Sequence, residues 1–204
     1  MEQCVRSMLR NDTNIKKSES DASRRFTKSL FYRVMAPIMA VVLESPIRRR
    51  LNDAERTLDG AGIQPGMRVL EVGCGTGYFT LPAARRLGAT GHLHATDISP
   101  QAVDFVGRKV VTSGLQNISL GTADAKATGL PGSAYDMVLL FGVVPAPMLP
   151  LGLLLPEMRR VLKSGGVLAV WPNVPLWMRR AFTKSGLFTF EGKVNGVLRF
   201  GKIE

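Results

Sequence analysis

The chain has 204 residues, 45% of them hydrophobic and 21% charged, enough to bury a core of its own and unlike a disordered or collagen-like composition. Its net charge of +11 sits on the flanks: residues 1–60 hold 12 basic and 8 acidic groups, residues 61–150 hold 6 and 5, and residues 151–204 hold 9 and 3. Two cysteines, Cys4 and Cys74, exclude a disulfide framework, and no run reaches the roughly 18 apolar residues of a membrane span.

Residues 1–20 read as a flexible polar leader without the apolar core of a secretory signal. Residues 21–60 read as a helical extension. Within it Phe26, Leu30, Val34, Ile38 and Val42 recur at i, i+4 steps, with Pro37 as a break, and Arg24, Arg25, Lys28, Arg48, Arg49 and Arg50 bracket the apolar face. Such a face either packs on the rest of the protein or lies at an anionic membrane surface.

From residue 61 short apolar strands alternate with amphipathic stretches. "MRVLEV" (67–72) is the first strand, and "YFTLPAARRLG" is a helix with Arg85 and Arg86 outward and Gly88 as its stop. "HLHATD" (92–97) is the second strand. Ser99 as N-cap and Pro100 at the first helical position open a helix with Val103, Val106 and Val110 inward, closed by Gly114. "ISLGTA" (118–123) and "YDMVLLFGVV" (135–144) are strands three and four. "LPLGLLLPEMRRVLKSGG" is a helix interrupted near Pro156 and stopped by Gly165-Gly166, and "VLAVWP" (167–172) is the fifth strand. Two alternating runs about Asn195-Gly196 then form a hairpin. The expected fold class is therefore α/β: a doubly wound, mostly parallel sheet with helices on both faces, finished by an antiparallel C-terminal hairpin at one edge.

Gly73, Gly75 and Gly77 follow the first strand directly, where an open parallel sheet binds its ligands. A phosphate-binding P-loop needs a lysine after the glycines, and none follows. A dinucleotide fingerprint starting at Gly73 needs a third glycine where Tyr78 stands. Histidine chemistry is sparse: His92 and His94 are the two histidines, both on the second strand, and packing is the simpler role for each. Asp136, at the start of the fourth strand, reads as structural. No metal-ligand spacing is present, so no metal is expected.

The pattern Glu71-Val72-Gly73-Cys74-Gly75-Thr76-Gly77, with Asp97 in "ATDISP", Asp124-Ala125 in "GTADA", "YDMVLLFGVV" and "VLKSGGVLAVWP" following in register, resembles the class I S-adenosylmethionine-dependent methyltransferases. Across residues 61–204 it looks most like the ubiquinone/menaquinone biosynthesis group. The resemblance implies a seven-stranded Rossmann-like sheet, S-adenosylmethionine as cofactor and S-adenosylhomocysteine as product. It implies that Glu71, Gly73, Cys74, Gly75, Thr76, Gly77 and Tyr78 form the loop at the methionine part of the cofactor. Asp97 then accepts from the ribose hydroxyls with Ile98 beside it, Asp124 and Ala125 stand at the adenine, and Phe141 is a further cofactor-binding residue. Cys74 reads as a small loop filler rather than a nucleophile.

For the acceptor, positioning is expected to suffice and no catalytic side chain is assigned. Tyr32, Phe141, Val143 and Trp171 are the acceptor-pocket candidates, and the resemblance implies that residues 21–60 form a lid over it. The run Phe141-Gly142-Val143-Val144-Pro145 is apolar, which points to a small, lipophilic acceptor: a phospholipid amine, a quinone-like ring or a small thiol. The expected location is the cytoplasm, with peripheral contact at the inner face of an anionic membrane. Two alternatives stay open: an RNA methyltransferase using Trp171, Trp177, Arg179 and Arg180, although nucleic acid is not the favoured partner, and a non-catalytic S-adenosylmethionine-binding protein. Oligomeric state is left open.

Overall fold

The computed structural model describes residues 53–144, 149–171 and 176–204, with the side chains of residues 176–178 outside the description. The leader, the apolar stretch 24–50 with Pro37, and Tyr32 all lie outside the described residues, as does the side chain of Trp177.

Twelve elements follow in chain order: α1 (Ala54–Ala61), β1 (Arg68–Val72), α2 (Thr80–Leu87), β2 (His92–Asp97), α3 (Pro100–Ser113), β3 (Ile118–Thr122), β4 (Tyr135–Phe141), α4 (Leu151–Val161), β5 (Leu162–Trp171), α5 (Leu176–Lys184), β6 (Phe188–Val194) and β7 (Val197–Lys202). They build one seven-stranded sheet in the order β3-β2-β1-β4-β5-β7-β6. The first five strands run parallel, and β7 joins β5 antiparallel with β6 at the edge. The expected doubly wound sheet with a hairpin finish is what forms.

Alternate residues of each strand face opposite layers. Leu70, Val72, Val138, Leu140, Leu168 and Val170 pack with Leu154, Leu155 and Met158 of α4, and with Phe182 of α5 and Phe200 of β7. On the other face Val69, Leu93, Leu139 and Ala169 pack with Leu58 and Ala61 of α1 and Ala83, Ala84 and Leu87 of α2. Helix α1, whose residues 54–60 close the expected helical extension 21–60, thus buries its apolar side on the sheet. Asp53 caps α1 by accepting from the Glu55 N–H, and Arg86 of α2 ties back to α1 through Glu55 and Asp59.

The helix starts and stops follow the local signals. Ser99 caps α3 with Pro100 at its first position, and Gly114 closes it in the left-handed region. Only Val106 of α3 is fully buried; Val103 and Val110 are half-buried, Val110 against the cluster of Cys74, Ala95 and Val106. At the hairpin, Asn195 and Gly196 both have positive φ, 48° and 83°, as a type I′ turn requires.

Three expectations need correction. Pro156 lies inside α4 and does not interrupt it. Its missing N–H would have met the carbonyl of Gly152, and both residues are exposed, so water reaches that carbonyl. Second, Gly165-Gly166 do not stop the helix. The chain turns extended at Leu162, and β5 begins there rather than at Val167. Between the pairs Tyr135↔Leu162 and Met137↔Val167 the register shifts, and the glycines carry this bulge, with Gly165 at φ 67°. Third, helix α5 has no counterpart in the expected elements.

Candidate cofactor and acceptor site

Strand order reverses between β1 and β4: the chain moves outward through β2 and β3 on one side and β5 on the other. Ligands of doubly wound sheets bind at such a switch point, beyond the strand ends. The contact that marks it here is Gly73 against Val143. A Cβ built on Gly73 would lie 2.7 Å from the Val143 Cγ2, so the loops after β1 and β4 touch. Val143, an acceptor-pocket candidate, is thereby placed at the glycine loop.

The loop is held from below. The N–H groups of Gly73 and Cys74 both donate to the Thr96 carbonyl, at 2.8 and 2.9 Å, and the Gly77 N–H donates to the Cys74 carbonyl at 2.8 Å. Gly77 rests on α3, where an added Cβ would meet Val106 Cγ2 at 3.1 Å. Gly75 differs: at φ 52° it has no atom within 4 Å of where a Cβ would stand. One face of the loop is therefore bare backbone opening outward, which an approaching ligand needs.

Asp97, at the end of β2, is the charged group at that opening and is 9% exposed. Its Oδ2 accepts from the Gly75 N–H and its Oδ1 from the Ser99 N–H, each at 2.9 Å. Burial raises its pKa, against the lowering effect of the amides of Ser99, Gly75 and Ile98. A carboxylate has about four acceptor positions, so two hydroxyl groups still find acceptors there. Ile98, 37% exposed, offers an apolar face beside it.

Asp124 lies in a tight turn after β3. Its Oδ1 accepts from the Lys126 N–H at 3.0 Å, and the Lys126 ammonium is 3.5 Å from its Oδ2. Ala125 is partly buried against the core. These residues fit S-adenosylmethionine: a bare backbone face for the methionine part, a carboxylate with spare acceptors for the ribose, and an apolar neighbour for the base. Residues 73–78, Asp97, Ile98, Asp124 and Ala125 would hold it.

Cys74 is buried against Ala95 and Val106, and burial first, then the carboxylates of Glu71 and Asp97, pushes its thiol pKa far up. It fills space, as expected. Glu71 is the surprise of the loop. It points from β1 under α2, is 2% exposed, and accepts from the Thr80 hydroxyl at 2.6 Å. Burial raises its pKa to about 7, opposed by the Thr80 hydrogen bond and reinforced by Asp97.

Two contacts at the loop have no sequence signal of their own. Besides Thr80 under Glu71, Lys109 of α3 donates to the Thr76 carbonyl at 3.0 Å. Replacing the lysine, as in Lys109→Met, is expected to weaken cofactor binding roughly threefold to tenfold by loosening residues 74–77, with little change in melting temperature. Calorimetric titration checks it.

Aromatic groups line the ends of the central strands. Phe79 meets Phe141 and Trp171 edge-on, at ring-centroid distances of 4.9 and 5.5 Å, and Tyr78 leans on Phe79 at 4.9 Å. Phe141 and Trp171 are buried, so Trp171 presents no open ring for stacking a nucleobase, contrary to what an RNA-binding role for it would need. Arg179 of α5 lies over the Phe190 ring at 4.2 Å, and Arg180 is exposed on the same helix. The histidines are structural: His92 is hydrogen-bonded to Ser119 and His94 to Tyr135, and burial lowers the pKa of both. Asp136 accepts from the Arg68 N–H and pairs with Lys163, a structural role as expected. Among the described residues no cluster suited to a metal ion is present, and no helix is long and apolar enough to cross a membrane.

A family model described as a methyltransferase domain matches residues 69–166. The aklanonic acid methyltransferase DauC of Streptomyces sp. is 35% identical over 101 residues, half of this chain and 43% of that protein. The demethylmenaquinone methyltransferase of Listeria monocytogenes is 35% identical over 122 residues, 56% of this chain and 50% of that protein. The ubiquinone/menaquinone biosynthesis C-methyltransferase UbiE of Laribacter hongkongensis is 36% identical over 122 residues, 59% of this chain and 49% of that protein. The chain thus spans about half the length of the curated relatives it matches. Among solved structures, a SAM-dependent methyltransferase from Aquifex aeolicus superposes with a TM-score of 0.70 at 22% identity, covering 82% of this chain and 98% of that one, a likeness of fold. With the glycine loop, Asp97 and the switch point in their places, residues 69–166 match a methyltransferase domain, and the chain is similar to the class I S-adenosylmethionine-dependent methyltransferases, the ubiquinone/menaquinone biosynthesis enzymes among them.

Proposed function

We propose that this chain transfers the methyl group of S-adenosylmethionine to a small, lipophilic, quinone-like acceptor. When bound, the cofactor supplies a sulfonium-activated methyl group open to in-line displacement. The chain's own residues hold and orient the reactants. Asp97 and the loop 73–78 fix the cofactor, and the Val143–Gly73 contact sets the acceptor side directly against it.

The observation that carries the acceptor reading is the apolar side chain of Val143, which meets Gly73 of the cofactor loop at the switch point. A planar, electron-rich ring needs apolar surroundings and the right orientation, and gains little from a general base. Both histidines are committed to contacts along β2. The names of the relatives point the same way: one is named for aklanonic acid and another for demethylmenaquinone.

The test uses purified full-length protein, methyl-labelled S-adenosylmethionine and a cell extract split into lipid, small-molecule and RNA fractions, alongside a reduced naphthoquinone as a defined acceptor. Label in the quinol and in the organic phase is the expected result. Label in RNA alone would overturn the reading.

A further inference from the structure

We propose that the sheet edge at β3, together with the outer face of α3, is a self-complementary surface that pairs with a second copy of this chain. The inference stands apart from the cofactor and acceptor readings.

The two edges of the sheet are built differently. On β6 the charged residues Glu191 and Lys193 are exposed, and the register with β7 shifts between Phe190 and Gly192. Charges and bulges of this kind keep an edge strand from recruiting another strand. Strand β3 has neither. Its residues Ile118-Ser119-Leu120-Gly121-Thr122 include no charge and no proline, and they pair with β2 in unbroken register. At its ends the Leu93 N–H donates to the Asn117 carbonyl and the Ala123 N–H to the Asp97 carbonyl, so odd-numbered residues turn their backbone groups to β2. The N–H and carbonyl groups of Ile118, Leu120 and Thr122 therefore point outward. Among the described residues no strand lies beyond β3.

Helix α3 continues this surface. Gly107 lies in its middle, outside the left-handed region, and a Cβ there would meet Leu120 Cδ1 at 3.6 Å, an ordinary contact. The described residues thus leave room for alanine at this position, although glycine weakens a helix interior. A shallow groove of about 710 Å³ passes it, along Val103, Asp104, Gly107, Arg108, Val111 and Leu120. Val111 is 83% exposed. Arg108 lies over the exposed Phe105 ring at 5.8 Å, and among the described residues neither Arg108 nor Asp104 has an ion-pair partner.

One two-fold axis accommodates all of these features. Antiparallel pairing centred on Leu120 sets Leu120 of one copy opposite Leu120 of the other, and Ile118 opposite Thr122, so the outward backbone groups of both edges are bonded. Because Gly107 stands over Leu120, the same axis passes beside Gly107. The two α3 helices then run antiparallel across it, and the bare glycines let them approach closely. Val103 of one helix meets Val111 of the other, each about one turn from the centre. Asp104 of each copy comes within reach of Arg108 of the other. This charge complementarity selects a second copy as the occupant, since a uniformly acidic or basic partner would confront one of the two with its own sign.

The experiment is sedimentation equilibrium of the full chain from micromolar to sub-millimolar concentration. The expected result is a monomer–dimer equilibrium in the micromolar range, suited to an interface of one short strand and one helix per copy. Asp104→Arg and Arg108→Asp each bring like charges together across the axis and should weaken the dimer about tenfold or more. The chain with both substitutions exchanges the charges and should return to within about threefold of the wild-type dissociation constant. A structural role within one copy would give no such recovery. Val111→Glu should also weaken the dimer, and because all three positions are exposed the melting temperature of the monomer should hold. A chain monomeric throughout the range would overturn the proposal. So would a dimer that neither charge reversal nor Val111→Glu weakens, or a double variant no tighter than the single ones.

Discussion

Asp97→Ala is expected to weaken S-adenosylmethionine binding by about a hundredfold or more, and S-adenosylhomocysteine binding by a similar factor. The estimate follows from two hydroxyl groups losing a charged acceptor, at roughly 1.5 kcal/mol or more each, with 1.4 kcal/mol equal to a factor of ten. The Gly75 N–H also loses its partner, so the open side of the loop is no longer held. Asn at this position should fare little better, for a reason specific to this site. Both carboxylate oxygens already accept from backbone donors, Gly75 on one side and Ser99 on the other. An amide has one oxygen, so in either orientation its NH₂ group confronts one of those N–H groups. Asp124 is the informative comparison. Its carboxylate serves the Lys126 N–H and ammonium in a turn, and Asp124→Asn keeps one acceptor there; a loss of only a few fold is expected. Titration calorimetry with both ligands measures all three variants, with thermal melts to show that they fold. Near-normal binding by Asp97→Asn would remove Asp97 from the ribose position.

The sheet and its switch point were legible because they rest on local signals: apolar runs of strand length, caps at Ser99 and Gly114, and Asn195-Gly196 at the hairpin. Strand-end residues follow from strand placement, so the glycine loop and Asp97 could be found together. What was missed depends on contacts distant in sequence. Pro156 reads as a break because proline usually ends a helix; that its freed carbonyl partner, Gly152, faces water appears only once α4 is laid on the sheet. Gly165-Gly166 reads as a stop because glycine often ends helices. The same residues serve a bulge equally well, and the pairing of β5 with β4 decides between them. The placement of Glu71 under α2, the reach of Lys109 to Thr76 and the meeting of Gly73 with Val143 join positions far apart in the chain. No periodicity encodes them.

That distinction bears on the second large effect, at Gly75. Alanine there should leave the fold nearly intact and reduce cofactor binding by about a hundredfold. The backbone at φ 52° is left-handed, and a non-glycine residue in that region costs roughly 1–2 kcal/mol. The new methyl group meets no protein atom within 4 Å, so no packing penalty is added. A drop of several degrees in melting temperature is the expected stability cost. The binding cost is larger because the methyl group stands on the bare face where the cofactor's backbone contact is made. Gly73→Ala should behave differently. There the added Cβ would stand 2.7 Å from Val143, so the loops after β1 and β4 must part before any ligand arrives, and stability and binding should fall together. Melting curves paired with cofactor titrations separate the two cases. If Gly75→Ala bound S-adenosylmethionine as tightly as the wild type, the open face of the loop would not be where the cofactor lies, and the cradle would have to be moved towards Val143.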